Sequence, residues 1–404
     1  MKSLIKAFLI CLIVFSVTNK GLTAIDIGVD VPELVQQLAG LKVEGKGYFY
    51  YYHDATDGDG QSNSFDLSRL YMGAKYRISD EFSVRYLTDV SHQASDADHK
   101  ENYGKFEVFT KYAYMDWNIS ENNNMVMGLQ GTNNWKPVDK AWGYRSLGKA
   151  PMEAFGSFWS GQSKAYQKYL EGWAEGLIST DEKTRLNLQA ANIKAAGSSK
   201  MGSSADIGVG VKLKPTDVTY LNLLIRNGTG YKKVENDMFK NIQLRGGVYL
   251  MDRAVHLTGY FELEPWRGIN AESNTKGYMN NQWDLMASYM QKGAFTVGVN
   301  INSKSFDGIQ TIDAFSASVF GNAYIIPKRL KALVRYDNYI TGFNDVEVKQ
   351  GDDNLKSNGS LLIVGLDYKV HKKVSIVPNF QMTSFEDSKL DPIRSVYVHM
   401  TFKL

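Results

Sequence analysis

Charged side chains that alternate with apolar ones are the residues of this 404-residue chain whose types and spacing could do chemistry. Arg69, Arg85, Arg245 and Arg335 supply positive charges of this kind, and Asp116, Glu262 and Asp337 supply negative ones. Lys75, Arg77 and Arg226 follow the same parity, as do Asp89, Glu264 and Asp367. Fixed charges of both signs along a wet wall break no bond. They set up a transverse field that orders water and sorts solutes by polarity, and a majority of one sign sets ion preference. The slight basic majority predicts a weak preference for anions. Arg145 stands outside the alternation, in Trp142-Gly143-Tyr144-Arg145, and is the charge best placed for a narrowing. The simpler readings are a surface arginine at 145 and wall charges that pair with one another to stiffen the wall.

Catalytic and metal-binding patterns are weak by comparison. The sequence contains no Gly-x-Ser-x-Gly elbow, zincin histidine pair or phosphate-binding glycine loop. His92 and His99 with Asp96 and Asp98 between them could hold a cation, but a solvated acidic loop is the simpler reading. Asp57-Gly58-Asp59-Gly60 opens like a calcium loop, and Gln61 and Ser62 then break its ligand and glycine positions. No enzyme activity, cofactor or metal is expected.

The elements that must position these charges are strands. Ile242, Leu244, Val248 and Leu250 alternate with Gln243, Arg245 and Tyr249, and Val396, Val398, Met400 and Phe402 alternate with Ser395, Tyr397, His399 and Thr401. Such period-two runs predict strands at 41–53, 64–78, 82–92, 104–119, 124–131, 205–214, 218–227 and 239–250. The second set is 254–265, 281–291, 294–304, 311–325, 329–340, 359–370, 374–384 and 393–404. Their even number, sixteen, suits a closed antiparallel transmembrane barrel. Short links such as Ser79-Asp80-Glu81, Pro215-Thr216-Asp217 and Met251-Asp252-Arg253 alternate with longer polar links such as 54–63, 93–103 and 341–358. Periplasmic turns and external loops of a barrel alternate in this way, whereas a soluble sandwich has no reason to. Tyr76, Phe82, Trp117, Phe295 and Tyr368 fall near the short-link ends, where amphipathic rings suit the headgroup boundary.

Composition and the N-terminus agree with export. With 43% hydrophobic and 22% charged residues the chain must fold. Lys2 and Lys6, the apolar run Ala7 to Val17 and the small-residue site at Leu22-Thr23-Ala24 read as a signal peptide over 1–24, followed by a short periplasmic segment at 25–40. Cleavage removes Cys11, the only cysteine, together with three lysines, leaving 43 basic residues against 43 acidic ones. Disulfides, thiolate metal sites and a basic nucleic-acid face are thereby excluded. No later segment approaches the roughly 18 apolar residues of a membrane helix.

Residues 132–204 break the pattern of modest links. This stretch of 73 residues holds Trp135, Trp142, Trp159 and Trp173, four of the seven tryptophans. Loops beyond about 15 residues are usually functional. Tyr166, Tyr169, Leu170, Trp173 and Leu177 at helical spacing predict a helix over 162–178. As the third long link, it is a constriction or lid of the pore, or else an external cap.

Lys111 to Asn118 (KYAYMDWN), Gly128-Leu129-Gln130-Gly131-Thr132 and Trp142 to Leu147 (WGYRSL) resemble bacterial outer-membrane porins of the phosphate-selective porin O and P superfamily. Asn227-Gly228-Thr229-Gly230-Tyr231, Val334-Arg335-Tyr336-Asp337 and Pro378-Asn379-Phe380-Gln381 extend the likeness over most of 41–404. The resemblance implies a trimeric porin of the outer membrane that passes small hydrophilic solutes or ions. Two features depart from it: Ser203-Ser204-Ala205-Asp206 has alanine where similar porins carry arginine, and no arginine ladder is evident. A channel specific for a sugar or an oxyanion stays open, as does a plugged structural or adhesive barrel.

Overall fold

The computed structural model describes residues 39–56, 62–92, 106–171, 203–232, 234–235, 238–267, 277–306, 311–344, 358–388 and 390–404. The chain divides into Met1–Leu41 and Lys42–Leu404. The expected leader at 1–24, nearly all of 25–40, His99 and the Asp57 to Gly60 run lie outside the described residues.

In chain order the strands are β1 (Leu41–Asp54), β2 (Asn63–Arg77), β3 (Phe82–His92), β4 (Phe106–Ser120), β5 (Asn123–Gly131), β6 (Ala205–Thr216), β7 (Thr219–Arg226) and β8 (Asn241–Leu250). They continue as β9 (Val255–Arg267), β10 (Gly277–Gln291), β11 (Phe295–Phe306), β12 (Thr311–Ile326), β13 (Leu330–Asn344), β14 (Gly359–His371), β15 (Val374–Phe385) and β16 (Ile393–Lys403). Each bonds to its sequence neighbours, and β1 pairs antiparallel with β16 to close the barrel. Closure matters because an open edge inside hydrocarbon would leave its backbone N–H and C=O groups unpaired.

The two faces of the wall are inverted relative to a soluble protein. Val299, Val319, Val334 and Met400 point outward and are exposed, while Asp89, Glu262, Gln282, Asn302 and Asp337 point inward and are buried. An apolar outer band with a polar lumen is the pattern of a barrel solvated by lipid. Phe82 stacks on Trp117 with ring centroids 5.8 Å apart, and Tyr289 meets Phe295 at 5.7 Å, both at short-link ends. At the seam, Phe49 stacks on Phe402 and Tyr50 lies opposite His399.

Met251, Asp252 and Arg253 take φ of 50°, 52° and 69° in the link from β8 to β9, and Lys328 takes 62° in that from β12 to β13. Left-handed turn residues match the right-handed twist of the strands they join. A β-bulge interrupts the β3–β4 ladder: Leu87 pairs with Tyr112 and Thr88 with Thr110, leaving Lys111 unpaired between them.

Candidate channel constriction

Residues 132–171 carry two helices, α1 (Lys136–Trp142) and α2 (Pro151–Glu171). Proline near the start of α1 costs no hydrogen bond, and Gly143, at φ 83°, ends the helix by donating its N–H to Asp139 O at 2.8 Å. The helix expected over 162–178 therefore begins at Pro151, and the remainder of that range, with Trp173, lies outside the described residues. Proline in the first turn, with Glu153 beside the positive end of the helix dipole, sets this earlier start.

The segment packs against lumen-facing side chains. Trp135, Val138, Trp142, Tyr144, Leu147 and Met152 form an apolar core with Tyr260, Met286, Phe320, Leu333, Ile363 and Val377 of the wall. Asn133 N–H donates to Gln243 Oε1 at 3.0 Å, and Tyr144 Oη donates to Asp367 Oδ2 at 3.1 Å. Gln381 Nε2 donates to Leu147 O at 2.9 Å, and Trp159 Nε1 to Thr341 Oγ1 at 3.1 Å. Phe158 stacks on Tyr339 with centroids 4.8 Å apart. Gly148 leaves no room for a side chain against the wall: a Cβ there would come within 2.7 Å of Ile363 Cδ1. Together these ties reach β8 to β10 and β12 to β15.

Across the lumen, beside β1 to β4, a cavity of about 320 Å³ remains. Its wall carries the cations Lys46, Arg85, Lys111, Lys136, Arg145 and Lys403 against the carboxylate side chains of Glu44 and Asp139. Arg145 is held between two carboxylates, its Nη1 lying 2.6 Å from both Asp139 Oδ2 and Glu153 Oε2. Burial, with the Glu153 charge added, pushes Asp139 up to about 6 against the pull of Arg145. Burial also opposes ionisation of Glu153, yet Arg145 and Lys149 hold it below the usual glutamate range.

The other charges expected to line the lumen do face it, in two different settings. Arg69 and Arg85 keep 29% and 26% side-chain exposure, much as Arg145 does at 26%, while bonding to Asp89 and Glu44. Asp116, half-buried, accepts from Asn124 Nδ2 at 2.5 Å. Arg245, Arg335, Glu262 and Asp337 are fully buried. Arg335 binds Asp337 and reaches Gly148 O at 3.4 Å, and Glu262 accepts from Arg226 at 2.6 Å. These four are structural groups at the wall or beneath the inserted segment, withdrawn from water.

Sequence parity missed Lys111 and Lys136. Lys111 is the bulge residue of β4, so it and Tyr112 both line the cavity, which consecutive residues of a regular strand cannot do. A signal for the inserted loop was present at Met286, Phe320, Leu333, Ile363 and Val377, apolar residues at lumen positions that only an apolar partner inside the barrel would require.

No family model matches the chain, and no curated protein matches it. Among solved structures, the chain is similar to the outer-membrane channel DcaP of Acinetobacter baumannii, with TM-score 0.56 and 11% identity, covering 90% of this chain and 97% of that one. It is also similar to an anion-selective porin from Comamonas acidovorans, with TM-score 0.54 and 10% identity, covering 90% and 99%. A trimer form of OmpT, an outer-membrane protein of Vibrio cholerae, gives TM-score 0.54 at 10% identity, covering 90% and 100%. At these identities the likeness is one of fold: the sixteen-stranded closed barrel is shared by bacterial outer-membrane porins.

Proposed function

We propose that this protein is a porin-type channel of a bacterial outer membrane, through which small hydrophilic solutes or ions diffuse passively with a weak preference for anions. The single observation that carries this reading is the cation-rich cavity left between the inserted segment and the β1 to β4 wall. A fixed positive excess lowers the barrier for anions in a narrow aqueous path, and no covalent step is involved. Residues 132–204 act as the constriction, with Arg145 held at its edge by Asp139 and Glu153. The leader at 1–24 directs export and is cleaved, 25–40 remains in the periplasm, and the barrel assembles as a homotrimer in outer-membrane lipid. The resemblance of the sequence motifs to outer-membrane porins and the fold likeness to a barrel solved as a trimer support this reading.

Planar-bilayer recording tests it. The protein should give discrete conductance steps, with a reversal potential in a salt gradient displaced toward anions. Trimming within 156–202 should raise single-channel conductance. The second reading, a plugged structural barrel, is favoured by the apolar core that fills one side of the lumen. It predicts no steps in the native protein.

A further inference from the structure

Three lysines face the cavity without a carboxylate partner at ion-pair distance among the described residues: Lys46 of β1, Lys111 of β4 and Lys136 of α1. Rings and other cations stand close to them, and the carboxylates that act on Lys46 and Lys111, chiefly Asp139 and Asp89, are already bonded to Arg145 and Arg69. Lys46 Nζ lies 4.7 Å from the ring centroid of Tyr48. Buried Lys111 donates to Ser204 Oγ and sits 3.9 Å from the ring centroid of Tyr231. Lys136 is exposed to the lumen, and the charges that act on it are those of Lys212 and Arg85. Like charges gathered around one void repel, and the wall holds them there by a bulge and by a helix start. A counter-charge in the void relieves that repulsion.

The rest of the lining narrows the ligand. Tyr48, Tyr71 and Tyr112 face the same void, and Tyr48 meets Tyr71 edge to face at 6.2 Å. Their hydroxyls can donate to any anion, but their ring faces add stacking or edge contact only to a planar ring. A volume of about 320 Å³ sits at the small end of ligand sites. We propose that the cavity is a binding subsite for small anions that carry an aromatic ring, of the benzoate class. The carboxylate lies toward Lys111 and Lys136, and the ring lies against Tyr48 and Tyr71. This rests on the channel reading for its role in transport, but binding itself can be measured without any channel.

Saturation-transfer NMR on the full, detergent-folded protein tests it with benzoate, acetate and inorganic phosphate as probes. Benzoate ring protons should receive saturation in a dose-dependent way, and acetate methyl protons should not. Excess acetate or phosphate should displace benzoate only at concentrations about tenfold higher than benzoate itself needs, the factor expected of a ring contact worth about 1.4 kcal/mol. Lys136→Met, an exposed change that leaves the barrel wall intact, and Lys111→Met should each weaken benzoate binding several-fold, with folding checked by heat-modifiable migration. No transfer to benzoate, or equal competition by acetate, overturns the subsite. Benzoate binding in a protein that yields no conductance steps keeps the subsite and overturns the channel.

Discussion

Arg245 of β8 donates from Nε to the carbonyl oxygen of Asn133 at 2.5 Å, and its Nη2 bonds to the neighbouring carbonyl of Asn134. A lumen arginine thus serves as a backbone clamp on the inserted segment, while Asp284 neutralises it at 3.0 Å. The same side chain that parity marks as a pore charge is spent on holding the segment in place.

Replacing Arg245 by Met should release that clamp and leave Asp284 buried without its partner, at a cost of about 3–5 kcal/mol. Limited trypsin digestion should then cleave within 136–149 at enzyme levels that leave the native protein intact. Equal resistance in both would show that the apolar core alone docks the segment.

Arg145→Met should leave Asp139 and Glu153 facing each other without their shared cation. Removal of one positive charge from the proposed constriction should displace the reversal potential toward cations, by an amount that shrinks as salt rises. A reversal potential identical to wild type would place the selective charges elsewhere, with Arg69 and Arg85 as the next to test.

Selectivity should also depend on pH. Asp139 ionises near 6, so it carries a negative charge at pH 7 and loses it as pH falls to 5, whereas Glu153 stays ionised over that range. The anion-to-cation permeability ratio should therefore rise on acidification through about 6, and Asp139→Asn should hold the high ratio at both pH values. In the same window the native state takes up a proton that the unfolded chain, with an ordinary aspartate near 3.8, does not yet bind. Acidification from 7 to 5 therefore favours the docked segment, and protease resistance should increase rather than fall.

On β16, Val398→Arg should lower barrel stability by about 2–4 kcal/mol, since that residue faces lipid, and Thr401→Arg should be tolerated. Urea unfolding in lipid vesicles measures both. Equal losses would reverse the facing assigned to this strand.

The strands were legible because one face of each meets lipid and the other meets water, so a period of two survives along the whole wall. Their ends were less so: β10 begins at Gly277 rather than 281, and β13 runs to Asn344 rather than 340. Glycine at 277 and 342 and asparagine at 280 and 344 break the alternation at these ends, so parity carries no signal there. Parity also cannot register a bulge, which is why Lys111 was overlooked. The seven-residue α1 is too short to show a helical stripe. The helix at 151 was marked by its proline, but the aromatic stripe beyond 166 drew the expected boundaries toward the C-terminal side. Which charges would be covered depended on contacts between distant parts of the chain, as where Gly148 approaches Arg335.

The hydrogen bond from Gln381 to Leu147 spans 234 residues of sequence. The inserted segment precedes β6 to β16 in the chain, yet one of its anchors lies on β15. Its final seat cannot form until almost the whole wall has been delivered, so its docking and the joining of β1 to β16 belong to the same late stage of biogenesis. A chain arrested before β15 would leave Leu147 O without its Gln381 donor and the apolar core without Val377, so the segment would sit on an incomplete seat.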